Sequence, residues 1–436
     1  MSLALTSSAT ARRPSFDRLL MFWVPVIVLA VLVIRNDARM AYAQSANGAA
    51  VEAADLAENA GTGTRERQLL FLALGATGGM LLWRDQRTNR RPIYWPIMLL
   101  LGLLFAYGCC SVVWSDSPFL TVKRMIVLGC LALGAIGIGK VWSTRDFCLA
   151  LIGWTLLFVL ISVAAELANG VFLRGGDYRF SGVFHPNKQV FFCAFLFLCS
   201  SCMYQSERKR IYLAIAIFAL IAVILTKSRT GTAACLLAGA WLWWSYLPRN
   251  WIVNLAVAGS ILFSIGLIGL GASGEEVSLL SAARMGREDE LSDPTKLTGR
   301  LPIWTETLSA FINQPLLGFG YGAFWSPERI RYFESQNGWA FSHAHSIYIE
   351  SAVNWGLLGV FIMLMIVVAT VRRAKYLLRT HERMAGRWMI ALLILAAIAG
   401  LAESAFVADG FEAIVLCASI GLVACHGPVP PARGTR

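Results

Sequence analysis

The sequence predicts an all-α fold, a polytopic bundle of membrane-spanning helices, and three observations carry that reading. Of the 436 residues 57% are hydrophobic and only 15% charged. The mean hydropathy is +0.61. The apolar residues also gather in runs close to the roughly 20 residues that cross a bilayer as a helix. A soluble globular chain does not have this composition. The formal charge of +12 raises the question of nucleic acid, but the basic residues are scattered between apolar runs and form no basic and aromatic recognition module. Membrane lipids are therefore the expected partner and nucleic acid is not, since basic residues so placed orient helices and meet anionic headgroups or phosphates.

Taken in order, the apolar runs give about twelve spans: 19–34, 68–83, 95–114, 122–142, 147–168, 189–204, 211–226, 231–247, 251–271, 347–371, 387–407 and 410–425. The first has two readings. Arg12, Arg13 and Arg18 precede it and Ala41-Tyr42-Ala43 resembles a cleavage site, so it is either a retained anchor or a signal peptide, although the stretch from Arg35 to Ala43 is long for a cleavage region. The organisation expected is helices 1 to 9 over 1–271, a long loop over 272–346, helices 10 to 12 over 347–425 and a tail over 426–436. Lys and Arg concentrate at one set of loop ends, among them Arg84, Arg87, Arg208, Lys209, Arg210, Arg372, Arg373 and Lys375. The positive-inside rule then puts both termini in the cytoplasm and the long loop on the opposite side.

Within that loop Leu301, Trp304, Leu308, Phe311 and Ile312 recur at helical spacing and Pro302 suits a first turn, so a short amphipathic helix on or between the spans is expected. Gly318, Gly320 and Gly322 follow with no strand before them; a turn packed against other backbone fits better than a nucleotide-binding loop. The ten cysteines lie in or beside apolar runs, which implies no disulfide framework. Cys199 and Cys202 read as small buried hydrophobes. No fixed-period repeat and no matching pair of interrupted helices is visible, which weighs against a transporter.

Charge inside apolar spans is retained mostly where it lines a cavity or pathway. Glu166, Glu350, Glu403 and Glu412 all fall near the outer ends of their helices, joined by Lys123, Arg124 and the turn "TKSRTG". Arg229 in that turn, Arg179 and Lys188 in "YRFSGVFHPNK", and Arg300 in "TGRLPIW" sit on the side where short loops normally avoid basic residues. A polyanionic substrate accounts for them, because guanidinium groups bind phosphate oxygens in pairs; attachment to anionic lipid is the alternative. His343 and His345 close the long loop, Ser346 is placed as an N-cap, and Glu350 and Asn354 continue a polar stripe down the next helix. A helix N-terminus disfavours an imidazolium, so a neutral ring able to take a proton is expected there. The H-x-H pair could also be half of a metal site, but no loop cysteine or clear third ligand completes it.

At "HSIYIESAVNWGLLG" a specific likeness emerges: His345, Ser346, Gly356 and Gly359 stand at the spacing His, Ser, nine residues, Gly, two residues, Gly. Together with "SVVWSDSPFLTVKR", "FSGVFHPNK", "KSRTG" and "GRLPIWTETLSAFINQPLLGFGYGAF", in order over roughly residues 100 to 360, it resembles the O-antigen ligase and polysaccharide polymerase family of bacterial envelope glycosyltransferases. The resemblance implies a GT-C-like helical enzyme of the inner membrane, its site facing the periplasm, that uses an undecaprenyl-pyrophosphate-linked glycan without a metal or other cofactor. It implies His345 as the catalytic histidine and Arg229 and Arg300 as holders of the pyrophosphate. His343, Lys188, Arg179 and Glu350 are further candidates for substrate binding, and Gly356 and Gly359 are structural positions. "HPNK" departs from the commoner order of Lys and Asn in related exopolysaccharide proteins.

The chemistry agrees. A sugar hydroxyl attacking an anomeric carbon must lose its proton, and a neutral imidazole is suited to take it. Fixed arginines stabilise the charge gathering on the departing lipid pyrophosphate. The expected activity is polymerisation of lipid-linked repeats, with a glycan as acceptor and other polysaccharide assembly proteins as partners. Ligation to a lipid A core is the alternative within the class, and a lipid-linked sugar flippase the alternative outside it.

Overall fold

The computed structural model describes residues 65–88, 93–174, 178–244, 246, 300–337, 341–406 and 410–426. The expected spans at 19–34 and 251–271, the anchor-or-signal question, the first part of the long loop and the tail beyond His426 lie outside the described residues. Among the described residues there is helix and no strand. The helices are α1 (Arg65–Thr88), α2 (Trp95–Cys110), α3 (Pro118–Val141), α4 (Thr144–Ala168), α5 (Pro186–Glu207), α6 (Arg210–Leu225), α7 (Arg229–Trp244), α8 (Arg300–Asn313), α9 (Pro327–Asn337), α10 (Ile347–Leu377), α11 (Arg383–Ala399) and α12 (Phe411–Cys425). Five stretches are long and apolar enough to cross a membrane: Trp95–Val113, Pro118–Val141, Thr144–Ala168, Pro186–Glu207 and Ile347–Leu377. Three shorter apolar helices, Gln68–Trp83, Arg210–Leu225 and Phe411–Cys425, pack among them. Over the described residues the chain is helical throughout, and its apolar helices make it a multi-pass membrane protein.

α5 is the hub, its flanks covered by α4, α6, α7 and α11, with Phe191, Phe192, Phe195 and Leu198 all buried. Proline at its first turn and His185 as N-cap, whose Nδ1 accepts from Asn187 N at 3.3 Å, fix where it begins. A second group forms where α3 lies against α1 and α12. Close approach there depends on missing side chains: a Cβ on Gly78 would sit 2.2 Å from Leu133 O, and one on Gly139 2.2 Å from Gly421 C. Between helices in lipid, where hydrophobicity offers no driving force, such close backbone packing holds the pair.

The bundle has two distinct ends. At one, Arg145 pairs with Glu207 at 2.6 Å, Arg387 donates to Gln205, and Arg373 donates to His426 O at 2.6 Å. Basic residues Arg208, Lys209, Arg210, Arg372, Lys375, Arg379 and Arg383 share this end. At the other end described residues of five regions far apart in sequence, 111–117, 178–185, 226–229, 300–337 with 341–346, and 400–406, knit together. Asp116 N donates to Phe319 O, Phe180 N to Leu225 O, Arg179 Nε to Thr226 O, and Ile347 N to Gly400 O.

α8 and α9 form a small cap with its own apolar core of Ile303, Phe319, Phe324, Trp325, Ile330, Phe333 and Phe341. The helix expected at 301–312 is present, but its apolar stripe divides. Trp304 and Phe311 turn partly into the cap beside buried Ile303, whereas Leu301, Leu308 and Ile312 form an outward ridge, Ile312 being 74% exposed. An outward apolar ridge on a membrane protein is suited to lipid.

Candidate functional site

The site is assembled from the knitted end of the bundle, and its construction begins at Gly356. This residue has φ +60 and ψ −177 inside α10, a break in an otherwise helical run. Leu357 N and Leu358 N donate instead to Pro315 O and Leu316 O, at 2.8 and 3.2 Å, and Phe319 N donates to Val353 O at 2.8 Å. The turn after α8 thus satisfies the backbone groups freed by the break, which a buried segment requires. A Cβ on Gly356 would lie 2.3 Å from Leu316 O, and one on Gly318, itself at φ +68, 2.5 Å from Gly356 N. Gly318, Gly320 and Gly322 are therefore the close-packed turn that the sequence indicated. Gly359 lies over Tyr107 and Trp355, and the Tyr107 hydroxyl donates to Trp355 O and Leu317 O.

The "SVVWSDS" segment locks the same turn from the other side. Trp114 Nε1 donates to Leu317 O, Tyr321 N donates to Ser111 Oγ, and Arg124 donates to Gly322 O. Arg329 reaches Asp116 at 3.0 Å with its guanidinium between the Phe319 and Phe324 rings.

This frame presents the two histidines. Ala344, fully buried between them, is pinned at both backbone atoms: its N–H donates to Glu350 Oε2 at 2.9 Å and its carbonyl accepts from Trp304 Nε1 at 2.9 Å. Glu350 also accepts from Trp325 Nε1 and Asn354 Nδ2, so its carboxylate is engaged with the protein and secures the loop. Ser346 occupies the N-cap position, but its hydroxyl makes no cap and donates to Gly400 O at 3.3 Å. His345 adopts φ +50, a left-handed conformation that costs a non-glycine residue about 1–2 kcal/mol and that accumulates at functional positions.

The His345 ring lies 4.0 Å, centroid to centroid, from that of His343. Its Nδ1 makes no hydrogen bond and sits 3.9 Å from Glu403 Oε2. The other oxygen of Glu403 accepts from Arg300 at 3.0 Å and from Asn187 Nδ2 at 2.9 Å. Asn187 Oδ1 in turn accepts from Arg179 at 3.4 Å, and Lys188 pairs with the buried Glu412 at 3.4 Å. His345, Arg300 and Glu403 keep 28%, 20% and 15% of their side chains exposed, so the cluster is recessed yet open to a substrate. His343 reaches solvent at the rim of the cluster, yet desolvation of its ring by the surrounding groups, with the nearby His345, Lys188 and Arg300, lowers its imidazole below the usual histidine range.

Of the residues singled out from sequence, His343, His345, Arg300, Lys188 and Arg179 come together around Glu403 and Asn187. Arg229 is the first residue of α7, exposed, in the turn whose Thr226 carbonyl meets Arg179. Glu350 stands behind the histidine loop as its fastener. Glu403 was visible in the sequence as one of four carboxylates near outer helix ends; nothing local marked it as the hub. The "FSG" motif acquires a role as well: Glu166 accepts from the amides of Ser181 and Gly182 at 2.9 and 2.7 Å, which fixes the segment leading to Asn187 and Lys188. Among the described residues no three His, Cys, Asp or Glu side chains are grouped to hold a metal.

Residues 214–364, which carry Arg229, Arg300, His343, His345, Gly356 and Gly359, match the family model described as O-Antigen ligase. The exopolysaccharide production protein ExoQ of Rhizobium meliloti (strain 1021) is 24% identical over 286 residues, 60% of this chain and 62% of that protein's length. The chain therefore spans less than two thirds of that relative. Over these residues, with its motifs interlocked at one end of a helical membrane bundle, the chain is similar to the O-antigen ligase family and to a protein of exopolysaccharide production.

Proposed function

We propose that the protein is a glycosyltransferase of the bacterial inner membrane, in a GT-C-like bundle of about twelve spans, that polymerises undecaprenyl-pyrophosphate-linked oligosaccharide repeats at its periplasmic face. One observation carries this reading: a recessed imidazole and cationic side chains from distant parts of the chain share a single cluster. His345 takes the proton of the attacking hydroxyl while the anomeric carbon parts from the lipid pyrophosphate. Arg300 and Arg229 receive the charge that gathers on the leaving group. Arg179 and Lys188 extend the positive rim, and His343, held neutral, is suited to hydrogen-bonding sugar or phosphate without adding charge. The concentration of Lys and Arg at the opposite end supports placing that end in the cytoplasm.

The acceptor separates two readings. A relative named for exopolysaccharide production favours a glycan acceptor and hence a polymerase. The family description as O-antigen ligase favours transfer to a lipid A core.

The test uses proteoliposomes supplied with lipid-linked repeats. The wild type should lengthen or transfer glycan and release lipid pyrophosphate, and His345→Ala should abolish both while remaining inserted and monodisperse. Product formation by His345→Ala at the wild-type rate would remove the histidine from the mechanism. Relocation of donor with no transfer would make the protein a flippase. Deletion of the gene followed by envelope glycan analysis then distinguishes loss of secreted polymer from an undecorated lipid A core.

A further inference from the structure

We infer that Glu403 is a positioning residue shared between Arg300 and His345, released from the arginine by the donor's pyrophosphate so that it orients the neutral histidine as a base only when donor is bound. The inference rests on the reading of the site given above. Its basis is the asymmetric engagement of one carboxylate. Oε1 is fully used, accepting from Arg300 at 3.0 Å and Asn187 at 2.9 Å. Oε2 points to His345 Nδ1 but stops at 3.9 Å, too far for a hydrogen bond. That ring nitrogen has no hydrogen-bond partner. An unpartnered imidazole nitrogen beside a carboxylate that is held back by an arginine is an unfinished pair.

A pyrophosphate and a carboxylate compete for the same face of a guanidinium, and the diphosphate carries more charge and more oxygens for paired contacts. Once Arg300 turns to the donor, Glu403 loses its neutralising partner and needs a shift of about 1 Å to accept from Nδ1–H at an ordinary distance. Asn187, a neutral donor, keeps hold of the other oxygen and guides the movement. The imidazole is then fixed in the tautomer that leaves Nε2 free to take the acceptor's proton, and a nearby carboxylate stabilises the imidazolium that results. The balance is complete: the hydroxyl proton passes to Nε2, the acceptor oxygen bonds the anomeric carbon, and the electron pair of the broken bond leaves on the lipid pyrophosphate. The other titratable or charged groups around His345 are His343 at 4.0 Å, Arg300 at the head of α8, and Lys188, which is paired with Glu412. Glu403 is the acidic group that approaches the ring. Donor occupancy therefore prepares the base, which keeps the enzyme from activating a hydroxyl when there is nothing to transfer.

Glu403→Gln keeps an oxygen that can accept from Arg300 and Asn187 but removes the charge. Three readouts follow. In proteoliposomes kcat should fall roughly 10–100-fold, the range over which a partner that orients a histidine is felt. The acid limb of the kcat profile should move to lower pH, because the imidazole loses its anionic neighbour. Binding of radiolabelled farnesyl pyrophosphate to the full chain in nanodiscs should tighten about 2–5-fold, because Arg300 no longer has an ion pair to break. A purely structural role would scale the whole profile down without moving it and would weaken the probe. Glu403→Asp, which retains the charge on a shorter arm, should partly restore kcat, and it takes over the comparison if the glutamine variant does not fold. If wild type fails to transfer, or Arg300→Ala binds the probe as tightly as wild type, the reading of the site falls and this inference with it. If those controls behave and Glu403→Gln alters neither the pH midpoint nor probe affinity, the competition alone is refuted.

Discussion

Substituting Gly356 by alanine tests the frame on which the site is built. Its φ of +60 and ψ of −177 lie in a region essentially confined to glycine, and forcing another residue there costs about 1–3 kcal/mol. The added Cβ would also stand 2.3 Å from Leu316 O, 2.5 Å from Leu317 C and 2.6 Å from Gly318 N. All three are backbone atoms, so no side chain can swing aside, and overpacking of this kind adds about 1–3 kcal/mol. The sum, about 2–6 kcal/mol, is a large part of the roughly 5–15 kcal/mol that separates folded from unfolded domains. A matched control exists in α4, where a Cβ on Gly153 meets nothing within 4 Å; Gly153→Ala should be neutral or stabilise by about 0.5–1 kcal/mol. Thermal unfolding of both variants in one detergent, with hydrogen exchange followed over 314–319 and 353–358, reads the difference. Gly356→Ala should melt well below wild type and exchange faster in both segments. An alanine variant that melts with wild type and protects both segments equally would refute the account of the break.

Arg329→Ala removes the ion pair to Asp116 and the contacts to Phe319 and Phe324; a loss of about 1–2 kcal/mol should show as faster exchange in α9 with α4 and α5 unaffected. Glu166→Ala leaves the amides of Ser181 and Gly182 without their acceptor, a loss of about 2–4 kcal/mol, and protease sensitivity should rise between 178 and 188. The pH dependence follows from His343, whose folded pKa lies below its ordinary value of 6.5. The unfolded chain binds the proton more readily, so stability from this group is whole above about pH 6.5 and is lost as pH falls toward the folded value. His343→Gln should flatten that acid limb of the melting temperature, and an unchanged limb would assign the dependence to other groups.

Much of the helical order was legible because lipid demands long apolar runs: each of the ten expected spans that fall on described residues overlaps a helix, although 387–407 is helical only to Ala399. Ends were less legible. α10 runs to Leu377, past the expected 371, because Arg373 is accommodated by Tyr94, Tyr376 and the carbonyl of His426, partners that no local pattern reveals. The residues that meet in the candidate cluster were legible where their type is unusual for the surroundings: histidines before an apolar helix, arginines beside apolar spans. It was not legible where the role depends on who stands opposite. Glu350 and Glu403 look alike in sequence, each an acid near a helix end, yet one fastens the histidine loop through Trp325 and Ala344 and the other bridges Arg300, Asn187 and the approach to His345. Hydrogen-bond partners separated by more than a hundred residues carry no periodic signal.

The stitching of the 314–319 turn into the break at Gly356, with the "SVVWSDS" segment closing over both, has a consequence for anyone exchanging parts between relatives. A graft of residues 300–346 alone would bring a turn cut to fit a foreign helix and a foreign clasp. Hybrids that exchange this insert must carry residues 107–124 and 347–359 along with it, as one inherited unit.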